Sequence, residues 1–264
     1  MIKLVIANQK GGVSKTTTCL SLARCFADHN LKVLLIDTDS QGSIATSLGL
    51  KPTSSLYHFL IHNYRFKDCI VSAHPNIDVL CSTRDTIEAE GILTPRPGRE
   101  LIFQVLLSPV EHMYDVILID VAPSITLLQS CAMMYAQQIL IPLTMDPLSL
   151  QGAFAAQQTS KSLNQLFKSN IQPVAILPVM VDRRLQMSDL IFESLQHIAT
   201  DYQIPILHSV RTDAAVTKAT RAKTFLADYD PKSKAVEDYR LAADQLLAHL
   251  QGQLNGKVSL PAPA

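Results

Sequence analysis

Asn8-Gln9-Lys10-Gly11-Gly12-Val13-Ser14-Lys15-Thr16-Thr17-Thr18 decides the reading of this chain. An apolar run, Leu4-Val5-Ile6-Ala7, precedes it, and a segment of helical period over residues 19–27 follows. A strand, a glycine-bearing loop and a helix opening on Lys-Thr form the setting in which a phosphate-binding loop is expected. Two glycines let the main chain approach phosphate oxygens, and the unpaired N–H groups of the loop and first helical turn point at them. Lys15 then adds a positive charge near the β- and γ-phosphates, and the Thr16 hydroxyl is positioned to ligate Mg²⁺.

Two further apolar runs end in carboxylates. Lys32-Val33-Leu34-Leu35-Ile36-Asp37 leads into Thr38-Asp39-Ser40-Gln41-Gly42, and Tyr114-Asp115-Val116-Ile117-Leu118-Ile119 ends at Asp120. Continuous apolar strands of this kind belong to parallel sheets covered on both faces. Acidic residues at the carboxyl ends of such strands lie where ligands sit in open α/β sheets, and Asp120 is in the position that holds Mg²⁺ directly or through water.

Further strands are expected at residues 138–142, 174–181 and 206–211, with a short one at Ile77-Asp78-Val79-Leu80. Helices are expected at 56–61, 101–107, about 188–200 and 234–250, the last with Ala235, Tyr239, Ala242, Leu246 and Leu250 facing the core. Strands alternating with helices indicate right-handed crossovers. The fold class is therefore α/β: a single doubly wound, mostly parallel sheet with helices on both faces, spanning 1–250, with 251–264 a flexible tail.

The chain of 264 residues is 47% hydrophobic and 17% charged, enough to bury a sizeable core. A net charge of +0 gives no global field towards nucleic acid or anionic membrane, so such binding must come from a local patch. The five cysteines have no C-x-x-C pair, which argues against a disulfide framework or zinc site and suits a reducing cytosol. No signal peptide is expected, because the chain opens on the first strand. The longest apolar stretch, 116–134, is broken by Asp120, Pro123 and Gln129, so no membrane span is expected. His58 and His62 stand four residues apart with no acidic or cysteine partner to suggest a metal site.

The loop departs from the common G-x-x-x-x-G-K-[ST] pattern, since its glycine positions hold Gln9 and Ser14. A second lysine, Lys10, precedes Gly11-Gly12 instead. That spacing resembles the deviant Walker A loop of the ParA/MinD family of dimerising ATPases, usually K-G-G-x-G-K-[ST]-T, with Ser14 in place of the last glycine. A positive φ there would cost a serine about 1–2 kcal/mol. Residues 37–41 resemble the family's D-x-D-P-Q, with Ser40 for Pro. Residues 120–124 resemble its D-x-P-P-S, with Ala122 for the first Pro.

The resemblance covers residues 1 to about 250 and implies a P-loop NTPase that uses ATP and Mg²⁺. It implies nucleotide binding by Lys10, Gly11, Gly12, Val13, Ser14, Lys15, Thr16 and Thr17, and a magnesium shell of Thr16, Asp37 and Asp120. Lys10, Lys15 and Asp39 become the catalytic residues, Lys10 reaching the phosphates of the other subunit and Asp39 orienting the attacking water. The strand exit at Val179, Met180 and Asp182 either touches adenine, as in the family, or is simply a strand end and polar loop.

Basic residues gather late in the chain: Arg183 and Arg184, then Arg211, Lys218, Arg221 and Lys223, then Lys232 and Lys234. With Asp213, Asp228 and Asp230 interspersed, composition also describes a solvated face. The resemblance implies that Arg184, Arg211, Lys218, Arg221 and Lys223 grip DNA phosphates without reading sequence, and pairing two such patches in a dimer would raise affinity steeply. The implied partners are a homodimeric ATP sandwich, nonspecific DNA, and a ParB-like or cargo-adaptor protein that stimulates slow hydrolysis. The implied cargo is a plasmid, a chromosome or a protein body such as the carboxysome. Residues 251–264 carry only Lys257 and no apolar face, so no membrane anchoring is expected, and the location is cytoplasmic, nucleoid-associated when ATP is bound. The rivals are a metabolic ligase of the dethiobiotin synthetase or cobyrinate-amidating type, with a small-molecule pocket beside the γ-phosphate, and a slow nucleotide switch.

Overall fold

The computed structural model describes residues 1–182, 191, 193–196, 199–200 and 203–254. Seven strands form one sheet: β1 Ile2–Ile6, β2 Val33–Asp37, β3 Ile70–His74, β4 Ile77–Leu80, β5 Val116–Asp120, β6 Gln138–Thr144 and β7 Gln172–Val179. Their order is β3-β4-β2-β5-β1-β6-β7, and every neighbouring pair is parallel except β3 with β4.

Alternation along each strand divides the core in two. Leu4 and Ile6, Val33 and Leu35, and Val116 and Leu118 face one side with the helices Lys15–Asp28, Ala214–Ala222 and Lys234–Leu254. Val5 and Ala7, Leu34 and Ile36, and Ile117 and Ile119 face the other, under the helices Leu56–Ile61, Ile102–Leu107, Leu127–Ala136 and Pro147–Phe167. Because successive side chains point to opposite faces, a sheet covered on both sides needs apolar residues at every position, which is what these runs supply. All five cysteines are free and buried.

The segment expected as a last strand, 206–211, lies extended beside β7 but makes only two isolated bridges, Ile176 with Ile206 and Val181 with Arg211. Pro178 accepts from the Val210 N–H and has no N–H to return, and the Arg211 N–H goes to Asp238 instead. A ladder cannot close without those donors. The antiparallel hairpin β3–β4 was not anticipated. It turns at Pro75-Asn76, with a register shift between Ser72 and His74. In the helix expected at about 188–200, the described residues 191, 193–196 and 199–200 are helical, and the rest lie outside the described residues. The final helix extends to Leu254, so the first four residues of the expected tail are helical. Its five expected core residues are all buried. Among the described residues no helix is long and apolar enough to cross a membrane.

Candidate functional site

Register brings the acidic strand ends together. Ile6 of β1 and Asp37 of β2 each stand opposite Asp120 of β5, so three carboxyl-terminal strand ends open on one rim of the sheet. Thr38 fastens that rim, donating from both its N–H and its hydroxyl to the Asp120 carbonyl at 3.0 and 2.9 Å.

The loop between β1 and the helix Lys15–Asp28 crosses this rim. Gly12 takes φ 76°, and Ser14 is held at φ 57°, ψ 29° immediately before the helix. The left-handed conformation considered for Ser14 is therefore present, together with its cost of about 1–2 kcal/mol. The Val13 side chain is buried, while Gly11 is exposed at the loop's outer edge and Thr17 is half-buried. Lys15 is buried, and its Nζ donates to the Lys10 carbonyl at 3.0 Å, folding it back over the loop. Burial lowers the Lys15 pKa, against the opposing pull of the Asp120 and Asp39 charges.

Under the loop sit two buried carboxylates. Thr16 Oγ1 donates to Asp120 Oδ2 at 2.6 Å, while Asp120 Oδ1, also buried, has no hydrogen-bond partner among the described residues. Burial pushes the Asp120 carboxyl up to about 7, although the Thr16 hydroxyl and the Lys15 charge oppose it. Asp37 is raised as well, by burial first and then by the neighbouring Asp120 charge, even though its two oxygens accept from the Asp39 and Ile44 N–H groups at 3.0 Å each. Two crowded, desolvated carboxylates, one with an unused oxygen, together with a hydroxyl form a donor set of hard oxygens that fits Mg²⁺.

Asp39 lies two residues beyond Asp37, past the end of β2. Its Oδ1 accepts from the Gln41 N–H at 2.9 Å, and the residue lines a cavity of about 300 Å³ with Gln41, Ile87, Glu90, Ser124 and Thr126. Among the described residues no lysine or arginine lines that cavity.

Lys10 points elsewhere. Its Nζ meets both carboxylate oxygens of Asp146 at 2.7 Å. Asp146 also caps the helix Pro147–Phe167 by accepting from the Ser149 N–H at 3.0 Å, and it accepts from the Thr144 hydroxyl at 2.6 Å. Burial acts to raise its carboxyl, but these three donors outweigh it and hold the group below the usual range.

Sequence reasoning missed the residues that brace the loop. Asn8 is fully buried; its Nδ2 donates to the Pro142 and Ser149 carbonyls at 2.9 and 3.1 Å, and its Oδ1 accepts from the Lys10 N–H at 2.9 Å. Gly152 lets the helix Pro147–Phe167 lie against the loop, because a Cβ there would overlap Asn8 Oδ1 and stand 2.8 Å from the Lys10 nitrogen. Asp-Pro at an N-cap and first helical position was a readable signal for Asp146.

The candidate adenine and DNA residues sit on later elements of the chain. Val179 is buried in the core, leaving Met180, half-exposed at φ 54°, and Asp182 at the exit of β7. Arg183 and Arg184 lie outside the described residues. Lys218, Arg221 and Lys223 are exposed on and just after the helix Ala214–Ala222, and none makes an ion pair with a described residue. Arg211 is different. Its Nε and Nη2 bind the buried Asp238 carboxylate at 2.8 and 2.7 Å, and Nη2 also meets Glu237 at 2.9 Å. This geometry makes Arg211 a tie between the 206–211 segment and the final helix.

Comparison with known proteins agrees with this geometry. A family model described as an AAA domain matches residues 1–173. The chain is similar to the sporulation initiation inhibitor protein Soj of Bacillus subtilis, 29% identical over 252 residues, covering 93% of this chain and 98% of Soj. It is 30% identical over 220 residues to the chromosome partitioning protein ParA of Caulobacter vibrioides, covering 80% of this chain and 82% of that protein. A solved structure of cobyrinic acid a,c-diamide synthase from Mycobacterium smegmatis, with bound ADP and magnesium, matches with a TM-score of 0.82 at 28% identity over 100% of both chains. A two-lysine phosphate loop on this sheet, matched by a family model over residues 1–173, by Soj nearly end to end and by ParA over four-fifths of both chains, makes the chain a member of the AAA domain family and of the ParA/MinD group of P-loop ATPases.

Proposed function

We propose that this protein hydrolyses ATP to ADP and phosphate, in a cycle in which ATP closes two subunits face to face and the closed dimer holds DNA without reading its sequence. Hydrolysis, slow alone and stimulated by a ParB-like or cargo-adaptor partner, opens the dimer and releases the DNA, so that repeated cycles segregate or position a cargo. The observation that carries the reading is the pair of lysines in one loop. Lys15 is folded in over the buried carboxylates, and Lys10 is turned outward onto Asp146. A single nucleotide pocket has use for the first; the second, turned away from that pocket, supports a role beyond its own subunit.

In this mechanism the loop N–H groups of residues 11–17 and the Lys15 ammonium bind the triphosphate. Thr16, Asp37 and Asp120 would hold Mg²⁺, which when bound screens phosphate charge. Asp39 orients the attacking water, and Met180 and Asp182 flank the base. Lys218, Arg221 and Lys223, doubled in the dimer, contact DNA phosphates, where affinity rises with every phosphate neutralised.

The diamide synthase likeness and the cavity beside Asp39 favour one other reading, a ligase that activates a carboxylate with ATP. The cavity lining speaks against it: Asp39 and Glu90 would repel a carboxylate substrate, and among the described residues no lysine or arginine lines the cavity.

The test is nucleotide-dependent DNA binding and turnover in three variants. Lys15→Ala should lose ATP binding, by about 100-fold or more. Lys10→Ala should bind ATP as a monomer yet form no ATP-dependent dimer. Asp39→Ala should accumulate as an ATP- and DNA-bound dimer. Turnover that requires a small carboxylic acid would replace this reading with the ligase.

A further inference from the structure

The basic surface and the nucleotide site are joined by one short element. Asp37 Oδ2 accepts from the Ile44 N–H at 3.0 Å, so the carboxylate assigned to the metal shell also holds the first turn of the helix Ser43–Leu48. That helix has six residues, Ile44 and Ala45 buried in the core, and it is bounded by two glycines in the left-handed region, Gly42 at φ 62° and Gly49 at φ 65°. Its far end meets the DNA candidate Lys223. A Cβ on Gly49 would stand 3.0 Å from Lys223 Cδ and 3.1 Å from its Cβ, so the lysine stem lies directly on the glycine. Lys223 is itself fixed, at φ 57°, as the C-cap of the helix Ala214–Ala222. Two residues past Gly49, Lys51 is exposed and makes no ion pair with a described residue.

Two of the acidic residues interspersed in this basic run are held by other groups. Asp213 accepts from the Ala215 and Ala235 N–H groups at 2.8 and 3.3 Å, capping the helix Ala214–Ala222 and the start of the final helix. Asp228 is held by Arg24 at 2.9–3.0 Å.

We propose that residues 42–51 tie the basic surface to the nucleotide site, and that Lys51 belongs to that surface as a further contact to DNA phosphate. The inference deepens the DNA-binding reading and rests on it. Movement of Asp37 on nucleotide binding reaches Lys223 and Lys51 through a rigid helix of less than two turns, with a glycine hinge at each end. Coupling of this kind requires an element that both sites bias, and residues 42–51 touch both.

The experiment measures binding of a short random-sequence duplex, across salt, to wild type with a non-hydrolysable ATP analogue and with ADP. Wild type that binds no DNA with either nucleotide overturns the parent reading and this inference with it. When wild type does bind, two variants decide the inference alone. Gly49→Ala puts a methyl against Lys223 at a left-handed position; it should keep ATP-dependent dimers while its ratio of DNA affinities, ATP analogue over ADP, falls about fivefold or more. Lys51→Gln carries no backbone strain and decides the matter should Gly49→Ala fold poorly. Its log–log salt slope should be shallower by about one per bound subunit, with affinity lowered evenly across sequences. An unchanged slope in Lys51→Gln, or an unchanged affinity ratio in a folded Gly49→Ala, overturns the inference.

Discussion

Lys10 Nζ is held by both carboxylate oxygens of Asp146, 136 residues away in the chain, at 2.7 Å each. In the isolated subunit the lysine proposed to serve a partner is therefore occupied at home. Both side chains are about one-third exposed, so the pair is worth the modest amount of a surface ion pair, about 0.2–1 kcal/mol. Closing a symmetric dimer breaks two of them. Asp146→Asn keeps an oxygen to cap the helix Pro147–Phe167 and removes the charge. ATP-dependent dimers of that variant should form at a protein concentration about 2- to 30-fold lower, since 1.4 kcal/mol is a factor of ten. Sedimentation with a non-hydrolysable ATP analogue reads this directly. A dimerisation constant equal to wild type would mean that Lys10 keeps its hold on Asp146 in the dimer.

Gly152 is a second point where the loop depends on a distant element. A Cβ added there meets Asn8 Oδ1 inside contact distance and the Lys10 nitrogen at 2.8 Å, and neither is the free end of a flexible side chain. Asn8 is already fixed by its two carbonyl acceptors, and the helix backbone is bonded to the loop through Gln9 N–H to Gly152 O at 3.2 Å. Gly152→Ala should therefore lower stability by about 1–3 kcal/mol, the usual cost of overpacking, and weaken nucleotide binding as Lys10 and Gly11 are pushed out of line. Urea unfolding together with a fluorescent-nucleotide titration would separate the two effects. Full stability and affinity in the variant would mean that the helix retreats without strain.

These contacts also mark where sequence reading stops. β2 and β5 were legible because each is a continuous apolar run that ends in an aspartate, and Lys15, Thr16, Asp37 and Asp120 converge because register does the rest. Asn8, Asp146 and Gly152 were not assigned roles, because their meaning comes from pairings across more than 130 residues that no local pattern encodes. The extended segment at 206–211 looked like a strand by composition. Whether it could pair depended on Pro178 lacking a donor and on Asp238 capturing the Arg211 N–H. Asp238 gives Arg211 a structural role in the same way: the basic run shows the charge, and only the fold shows its buried partner.

Ser14 stands where the related loops carry glycine, and its φ of 57° is in the region that disfavours a side chain. Relief of that conformation is worth about 1–2 kcal/mol, offset by the roughly 0.5–1 kcal/mol of extra chain entropy that a glycine loses on folding. Ser14→Gly should therefore stabilise the protein by about 0.5–1 kcal/mol in denaturant unfolding. The Ser14 side chain makes no capping hydrogen bond that would be lost. A destabilised Ser14→Gly would mean that the hydroxyl makes a compensating contact in solution.

The Arg211–Asp238 tie gives an acid-stability prediction with a defined sign. Burial alone would raise the Asp238 carboxyl, but hydrogen bonds from the Arg211 side chain and backbone, the Arg211 charge and the His208 ring outweigh it and hold the group below its ordinary value. A carboxyl whose folded pKa lies below its unfolded value of about 3.9 contributes stability above that pH and loses it as pH falls through the folded pKa. Asp238→Asn removes the charge at every pH and leaves Arg211 with only Glu237 as a carboxylate partner. The variant should therefore melt on the order of 3 °C or more below wild type near neutral pH, and the gap should narrow only below about pH 4. Melting curves of both proteins across that range test it. A gap that stays unchanged below about pH 4 would mean that the Asp238 charge is not the source of the stabilisation.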